Sequence, residues 1–180
     1  MVSSDNGARV TDYWGRWWGH KSNGDLRGQK ADIWDGGHRE PLVARWPGHI
    51  KPGSVCDKLV CLSDLMATCT DVLGVELPED SAEDSISFLP LLEDTQRGKH
   101  VRDSVIHHSG FGMFSIRKGD WKLINELGSG GFTEPCRWKA GPDDPGGQLY
   151  NLKNDLRETN NLWRQHPEIV AELTAELNTL

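Results

Sequence analysis

The chain has 180 residues, about a third of them hydrophobic and about a quarter charged, with a formal net charge of −7. That composition excludes a disordered polymer and allows one domain or two small ones. The acidic balance provides no basic stripe to replace phosphate counterions, so nucleic-acid binding is not expected, and no apolar run is long enough to span a membrane.

In chain order, residues 8 to 55 lack sustained periodicity and are rich in Gly, Trp and turn residues, which predicts loops around a site, with short strands near Leu42-Val43-Ala44 and Leu59-Val60. A helix follows. Ser63 is a suitable N-cap, Leu65, Met66, Cys69, Val72 and Leu73 recur at helical spacing, and Gly74 supplies a left-handed stop. This helix is expected to serve packing. Val75 to Asp84 reads as an exposed loop, Leu89 to Leu92 as a short apolar element, and the polar stretch Glu93 to Arg102 as a boundary, giving domains 1–95 and 96–180. Beyond it, Ser104 to His108, Met113 to Arg117, Asp120 to Asn125 and Gln148 to Leu152 read as strands of an antiparallel sheet, with a tight turn at Lys118-Gly119. Leu127 to Gly147 is a long Gly- and Pro-rich loop, a length that is often functional. Pro167 and Glu168 then open a helix whose Ile169, Val170, Leu173 and Leu177 share one face, suited to cover the sheet.

Chemistry concentrates near the start of the chain. Asp5 and Asn6 offer a carboxylate and an amide oxygen, hard donors that suit Ca²⁺ or Mg²⁺, and Gly7 permits the sharp turn that lets neighbours on a strand end reach one ion. Asp-Asn-Gly is equally an ordinary turn sequence. Lys30 is a compact ammonium with three donors, suited to an oxyanion, and taken alone is just as well a solvated loop lysine. Arg39, between a Gly-Gly pair and Pro41, has a constrained backbone and is read first as a structural brace. His20 stands ahead of Asn23-Gly24 and would line a substrate mouth, although a lone histidine more often has a structural role. His107-His108 end a strand, and no partner lies at zinc-like spacing. The four cysteines are too few and irregular for a disulfide framework.

Several motifs occur together in order. They are Ser4-Asp5-Asn6-Gly7, then Asn23-Gly24-Asp25-Leu26-Arg27-Gly28-Gln29-Lys30, then Trp34-Asp35-Gly36-Gly37-His38-Arg39-Glu40-Pro41. Ala44-Arg45-Trp46-Pro47-Gly48, Ile116-Arg117-Lys118-Gly119-Asp120-Trp121-Lys122-Leu123, Leu149-Tyr150-Asn151-Leu152 and Asp155-Leu156-Arg157-Glu158-Thr159-Asn160-Asn161-Leu162 follow. The set resembles the sulfatase family of the alkaline-phosphatase-like superfamily, in its arylsulfatase and N-acetylgalactosamine-sulfatase-type members. Asp25 and Asp35 depart from the family's usual proline and glutamate. The resemblance implies an α/β fold, here the carboxyl-terminal part of an alkaline-phosphatase-like fold with a small antiparallel sheet packed by a C-terminal helix.

It also implies the chemistry. Asp5 and Asn6 match two Ca²⁺ ligands, Lys30 matches the lysine that contacts the sulfate ester and is the residue placed in catalysis, His20 is a substrate-side candidate, and Arg39 is a supporting brace. The family's nucleophile is a formylglycine made from the Cys of a Cys-x-Pro-Ser-Arg type motif, and Cys56, Cys61, Cys69 and Cys136 do not fit that motif. The Asp-Asp pair that completes the metal site is missing as well. The implied partners are a sulfate ester, either an aryl sulfate or a sulfated carbohydrate, and the missing amino-terminal half of the catalytic domain. The loop Gly128 to Gly147 and that absent half would set specificity.

Two rivals accompany this expectation. A stand-alone carbohydrate-binding module would use Trp14, Trp17 and Trp18 as a stacking platform, although aromatic residues more often pack. A phosphatase-like or phosphodiesterase-like relative would need two zinc ions and further His and Asp ligands, which the stretch from Asp5 to Lys30 lacks. No basic-then-apolar leader follows Met1, which would indicate the cytosol for a true amino terminus and nothing for a fragment. Family members are mostly periplasmic, extracellular or lysosomal, so export is expected.

Overall fold

The computed structural model describes residues 1–10, 19–93 and 101–179. The chain forms two compact units, one of Met1–Ser3 with Leu42–Val105, the other of Ser4–Pro41 with Ile106–Leu180.

In the first unit, β1 (Val2–Ser3) pairs antiparallel with β2 (Leu42–Val43), Val2 opposite Val43. The strand expected at Leu59-Val60 is absent, and those residues are irregular. A 3₁₀ turn at Leu62–Asp64 leads into α2 (Leu65–Leu73), which ends at Gly74 in the left-handed conformation, φ 64°, as the sequence indicates. Asp64, rather than Ser63, secures the entry to this helix. It is fully buried and accepts from the Cys61 N–H at 2.7 Å, the Ile86 N–H at 2.9 Å and the Arg102 guanidinium, Nε at 3.1 Å.

α2 packs, but through a different face from the apolar one expected. Its buried residues are Ala67 and Thr68, the Thr68 hydroxyl accepting from the Phe88 N–H at 3.0 Å just ahead of α3 (Leu89–Leu92). Met66, Val72 and Leu73 are exposed, the last by 74%. Helical spacing reports that apolar side chains share a face but does not supply a partner for that face.

The second unit contains α1 (Asp35–His38) and, from Ile106 onward, a four-stranded sheet in the order β3 (Ser104–His108), β4 (Phe114–Lys118), β5 (Trp121–Ile124), β6 (Gln148–Asn151). β4 and β5 form a hairpin with Lys118 opposite Trp121, so the turn is Gly119-Asp120, one residue later than expected, with Gly119 at φ 55°. The closing helix α4 runs Pro167–Leu177, with Pro167 in its first turn.

Side chains alternate across the sheet, and each face has its own partner. On one face Ile116, Leu123 and Leu149 bury with Leu173 of α4, joined by Ile169, Val170 and Leu177. Burying each such side chain contributes about 1.5–3 kcal/mol. Lys118 adds an ion pair to Glu176 at 2.7 Å. On the other face Ile124 and Tyr150 join Ile33, Trp34, Met113 and Leu152 in a second core. That second core fixes the segment carrying the conspicuous motifs.

Candidate functional site

The motif segments meet main chain to main chain. The Gly7 N–H donates to the Gly37 carbonyl at 3.0 Å, and the Lys30 N–H donates to the Ala8 carbonyl at 3.1 Å. The Gly36 N–H donates to the Arg27 carbonyl at 2.7 Å. A Cβ on Gly7 would lie 1.9 Å from the Gly36 carbonyl oxygen, and one on Gly36 would lie 2.4 Å from the Gly28 oxygen. Only glycine allows backbones this close. The Asn23 side chain fastens the same junction: its Oδ1 accepts from the Ala8 N–H at 3.0 Å while its Nδ2 donates to the Ala8 and Gly28 carbonyls at 3.1 and 3.0 Å.

This brings the Asp5-Asn6 turn and the backbone of Lys30 into one loop cluster, Lys30 being bonded two residues beyond Asn6. The Asp5 and Lys30 side chains are exposed and Asn6 is half-buried. His20 is exposed, and among the described residues no hydrogen bond or ion pair ties it to Asp5, Asn6 or Lys30. Arg39 reaches back toward Asp35, Nη1 to Oδ2 at 3.7 Å, and its N–H caps the helix through the Asp35 carbonyl at 2.8 Å. Asp5 and Asn6 are hard oxygen donors that suit a divalent cation, yet among the described residues no group of three or more His, Cys, Asp or Glu side chains is arranged to hold one. The Glu40 carboxyl is pushed up by burial, with Asp35 and Asp5 adding repulsion, so negative potential gathers near the turn. The platform expected on Trp14, Trp17 and Trp18 lies outside the described residues.

Sequence inspection missed the ionic node beneath the loops. Lys122 of β5 is fully buried, its Nζ donating to Asp35 Oδ1 at 2.8 Å and lying 3.0 Å from Glu158 Oε1. The Asp35 N–H donates to Glu158 Oε2 at 2.6 Å, so helix, strand and the loop after β6 share one junction. Burial works against the charge on Lys122, but Glu158 and Asp35 outweigh it and raise its pKa. Burial pushes the Glu158 carboxyl up, whereas Asp35 is held below its usual range because Lys122, with help from Arg117 and His107, overcomes the same penalty. The ring of His38 stacks on His107, centroids 4.6 Å apart, and burial depresses both, His38 to about 4.

Arg27 of the Leu-Arg-Gly motif extends the node. Its guanidinium lies over the Trp34 ring at 3.6 Å and donates to the Tyr150 hydroxyl at 3.2 Å and to the Glu158 carbonyl. The Trp34 indole N–H and the Tyr150 hydroxyl both donate to Gln148 Oε1, at 3.0 and 2.8 Å. Asp32, also fully buried, accepts from the Gln29 N–H at 2.9 Å and the Thr133 N–H at 3.0 Å, seating the long loop after β5 beside Lys30.

Comparison with known proteins gives a consistent set of relatives. Residues 29–130 match the family model described as N-sulphoglucosamine sulphohydrolase, C-terminal. The chain is 32% identical to the N-acetylgalactosamine-6-O-sulfatase of Bacteroides thetaiotaomicron over 100% of this chain and 35% of that protein. It is 37% identical to arylsulfatase A of Bos taurus, over 83% of this chain and 31% of that one. A solved structure described under glycosaminoglycan metabolism by Bacteroides thetaiotaomicron superposes with a TM-score of 0.83 at 32% identity, covering 98% of this chain and 37% of that one. A sulfatase from Pseudoalteromonas sp. gives 0.73 at 26%, covering 98% and 36%. The chain thus spans about a third of the length of the curated relatives it matches.

Proposed function

Since the chain belongs to the sulfatase family, matching its carboxyl-terminal portion, we propose that it is part of an enzyme hydrolysing sulfuric esters and carries one flank of the active centre. The observation that supports this most is the glycine-packed junction that holds the Asp5-Asn6 turn and Lys30 in one loop cluster. In this proposal Asp5 and Asn6 would hold a Ca²⁺ ion through two oxygen donors, and that ion would supply Lewis-acid polarisation of the sulfate. The Lys30 ammonium donates to the sulfate and offsets the charge that grows on its oxygens as the S–O bond breaks. Arg39, held against Asp35, braces the helix behind the turn, and His20 faces the substrate.

The formylglycine nucleophile and the remaining metal ligands come from an amino-terminal half of the catalytic domain. The substrate is a sulfated carbohydrate or an aryl sulfate, and the whole enzyme works outside the cytosol. Among the described residues no helix is long and apolar enough to cross a membrane.

Sulfate release from an aryl sulfate tests the proposal. The 180-residue chain alone is expected to release none, and an amino-terminal segment carrying a Cys-x-Pro-Ser-Arg motif and the Asp-Asp pair is expected to restore turnover. Lys30→Ala in the restored enzyme should then lower kcat/KM by about 10²-fold or more. Vigorous turnover by the chain alone, or full activity of Lys30→Ala, refutes it.

A further inference from the structure

Two exposed phenyl rings stand on backbone pinned to Ala31, the residue after Lys30. Phe111 is 53% exposed and Phe132 44% exposed, and they meet edge to face with centroids 6.4 Å apart at 81°. Phe111 sits at the tip between β3 and β4, where its N–H donates to the Gly130 carbonyl at 2.9 Å and its carbonyl accepts from Arg137 Nη2 at 3.0 Å. The preceding Gly110 N–H donates to the carbonyl of Ala31, the residue after Lys30, at 2.8 Å. Phe132 is held from both sides. A Cβ on Gly131 would lie 2.4 Å from the Ala31 carbonyl carbon, and the Thr133 hydroxyl and N–H both donate to Asp32.

Arg9 follows the Ala8 whose carbonyl accepts from the Lys30 N–H, and its guanidinium lies over the Phe132 ring at 4.8 Å. A corner of two apolar walls therefore carries a guanidinium within an acidic protein. Rigid loops that keep apolar rings in water mark a binding surface. Pyranose rings present an apolar C–H face that fits against the electron-rich face of a phenyl ring, while their sulfate or carboxylate groups pair with guanidinium.

Resting on the sulfate-ester proposal above, we infer that Phe111, Phe132 and Arg9 form a saccharide subsite adjoining Lys30, which takes a neighbouring sugar of an anionic sulfated polysaccharide. The corner selects for a chain of sugars, the rings taking the pyranose face and Arg9 the anionic group of that neighbouring sugar. A small aryl sulfate docked at Lys30 would leave it empty.

The test uses the 180-residue chain and two probes, N-acetylgalactosamine 6-sulfate and a hexasaccharide that alternates this unit with a uronic acid, titrated calorimetrically with circular dichroism as a check on folding. The hexasaccharide is expected to bind more tightly than the monosaccharide. Phe111→Ala/Phe132→Ala is expected to weaken the hexasaccharide by about tenfold and to leave the monosaccharide within about twofold. Arg9→Gln should weaken the hexasaccharide and flatten its salt dependence. Phe114→Ala, which removes a comparably exposed ring elsewhere on β4, should change neither. A parent chain that binds the hexasaccharide no better than the monosaccharide, or a double variant that matches the parent, overturns the subsite. So does loss of hexasaccharide binding once an amino-terminal segment is supplied, which would make the corner a contact within the protein. Lys30→Ala separates the two proposals: if it leaves both probes unaffected, the sulfate role of Lys30 fails while the corner stands.

Discussion

Replacing Lys122 by Met keeps the length of the side chain and removes its charge. In the native protein the ammonium is fully enclosed and lies within 2.8 Å of Asp35 Oδ1 and 3.0 Å of Glu158 Oε1. Without it two carboxylates share a dry space, and removing one partner of a buried ion pair costs about 3–5 kcal/mol. For a chain of 180 residues that corresponds to a fall in Tm of about 6–20 °C, readable by differential scanning calorimetry. The triple variant Lys122→Met/Asp35→Asn/Glu158→Gln removes all three charges and should recover most of the loss. The single variant also has a signature in pH. Its orphaned carboxylates take up protons more readily when folded than when unfolded, so its deficit shrinks on going from pH 7.5 to pH 5. A loss below about 1 kcal/mol, or a triple variant no better than the single one, would refute the claim that this node is an electrostatic junction.

Three further outcomes are expected. His38 is depressed to about 4 and His107 lies well below the ordinary value, so both are neutral when folded and protonate first in the unfolded chain. Stability is complete above pH 6.5 and declines as pH falls toward 4, by up to about 3 kcal/mol for His38, and urea midpoints of His38→Phe/His107→Phe should be flatter across that window. Gly7→Ala places a Cβ 1.9 Å from the Gly36 oxygen, so overpacking of about 1–3 kcal/mol or more should appear in thermal unfolding. Arg102→Met leaves Asp64 with two backbone donors but no cation, and should cost the first unit about 2–3 kcal/mol, seen as faster amide exchange over residues 61–86.

What the sequence disclosed follows from the range of the interactions involved. The α4 helix was legible because Pro167, Glu168 and the 3.6-residue spacing of its apolar face are local signals, and the sheet's period of two then found that face as partner. The same spacing in α2 misled, because Leu73 and Met66 share a face that the described residues leave exposed. The sulfatase motifs, read in order, located the loop cluster. The node beneath it was not legible, since a lysine inside Trp121-Lys122-Leu123 reads as solvent-facing and its acidic partner Asp35 is 87 positions away. The one available signal was the pairing of a strand lysine with two acids, Asp35 and Glu158, each inside an ordered motif. Nor does linear composition disclose that Ser4–Pro41 belongs with Ile106–Leu180.

The seating of Gly7 against Gly36, and of Gly36 against Gly28, means that the contour of this flank is drawn by peptide groups with no side chains interposed. A substitution scan should therefore show a sharp contrast: intolerance at these few hydrogen-only positions, where a single methyl group pries strands of main chain apart, and latitude at the outward-pointing Asp25 and Lys21 a few residues away. For an engineer, the practical route is to vary the rim and leave this glycine floor untouched.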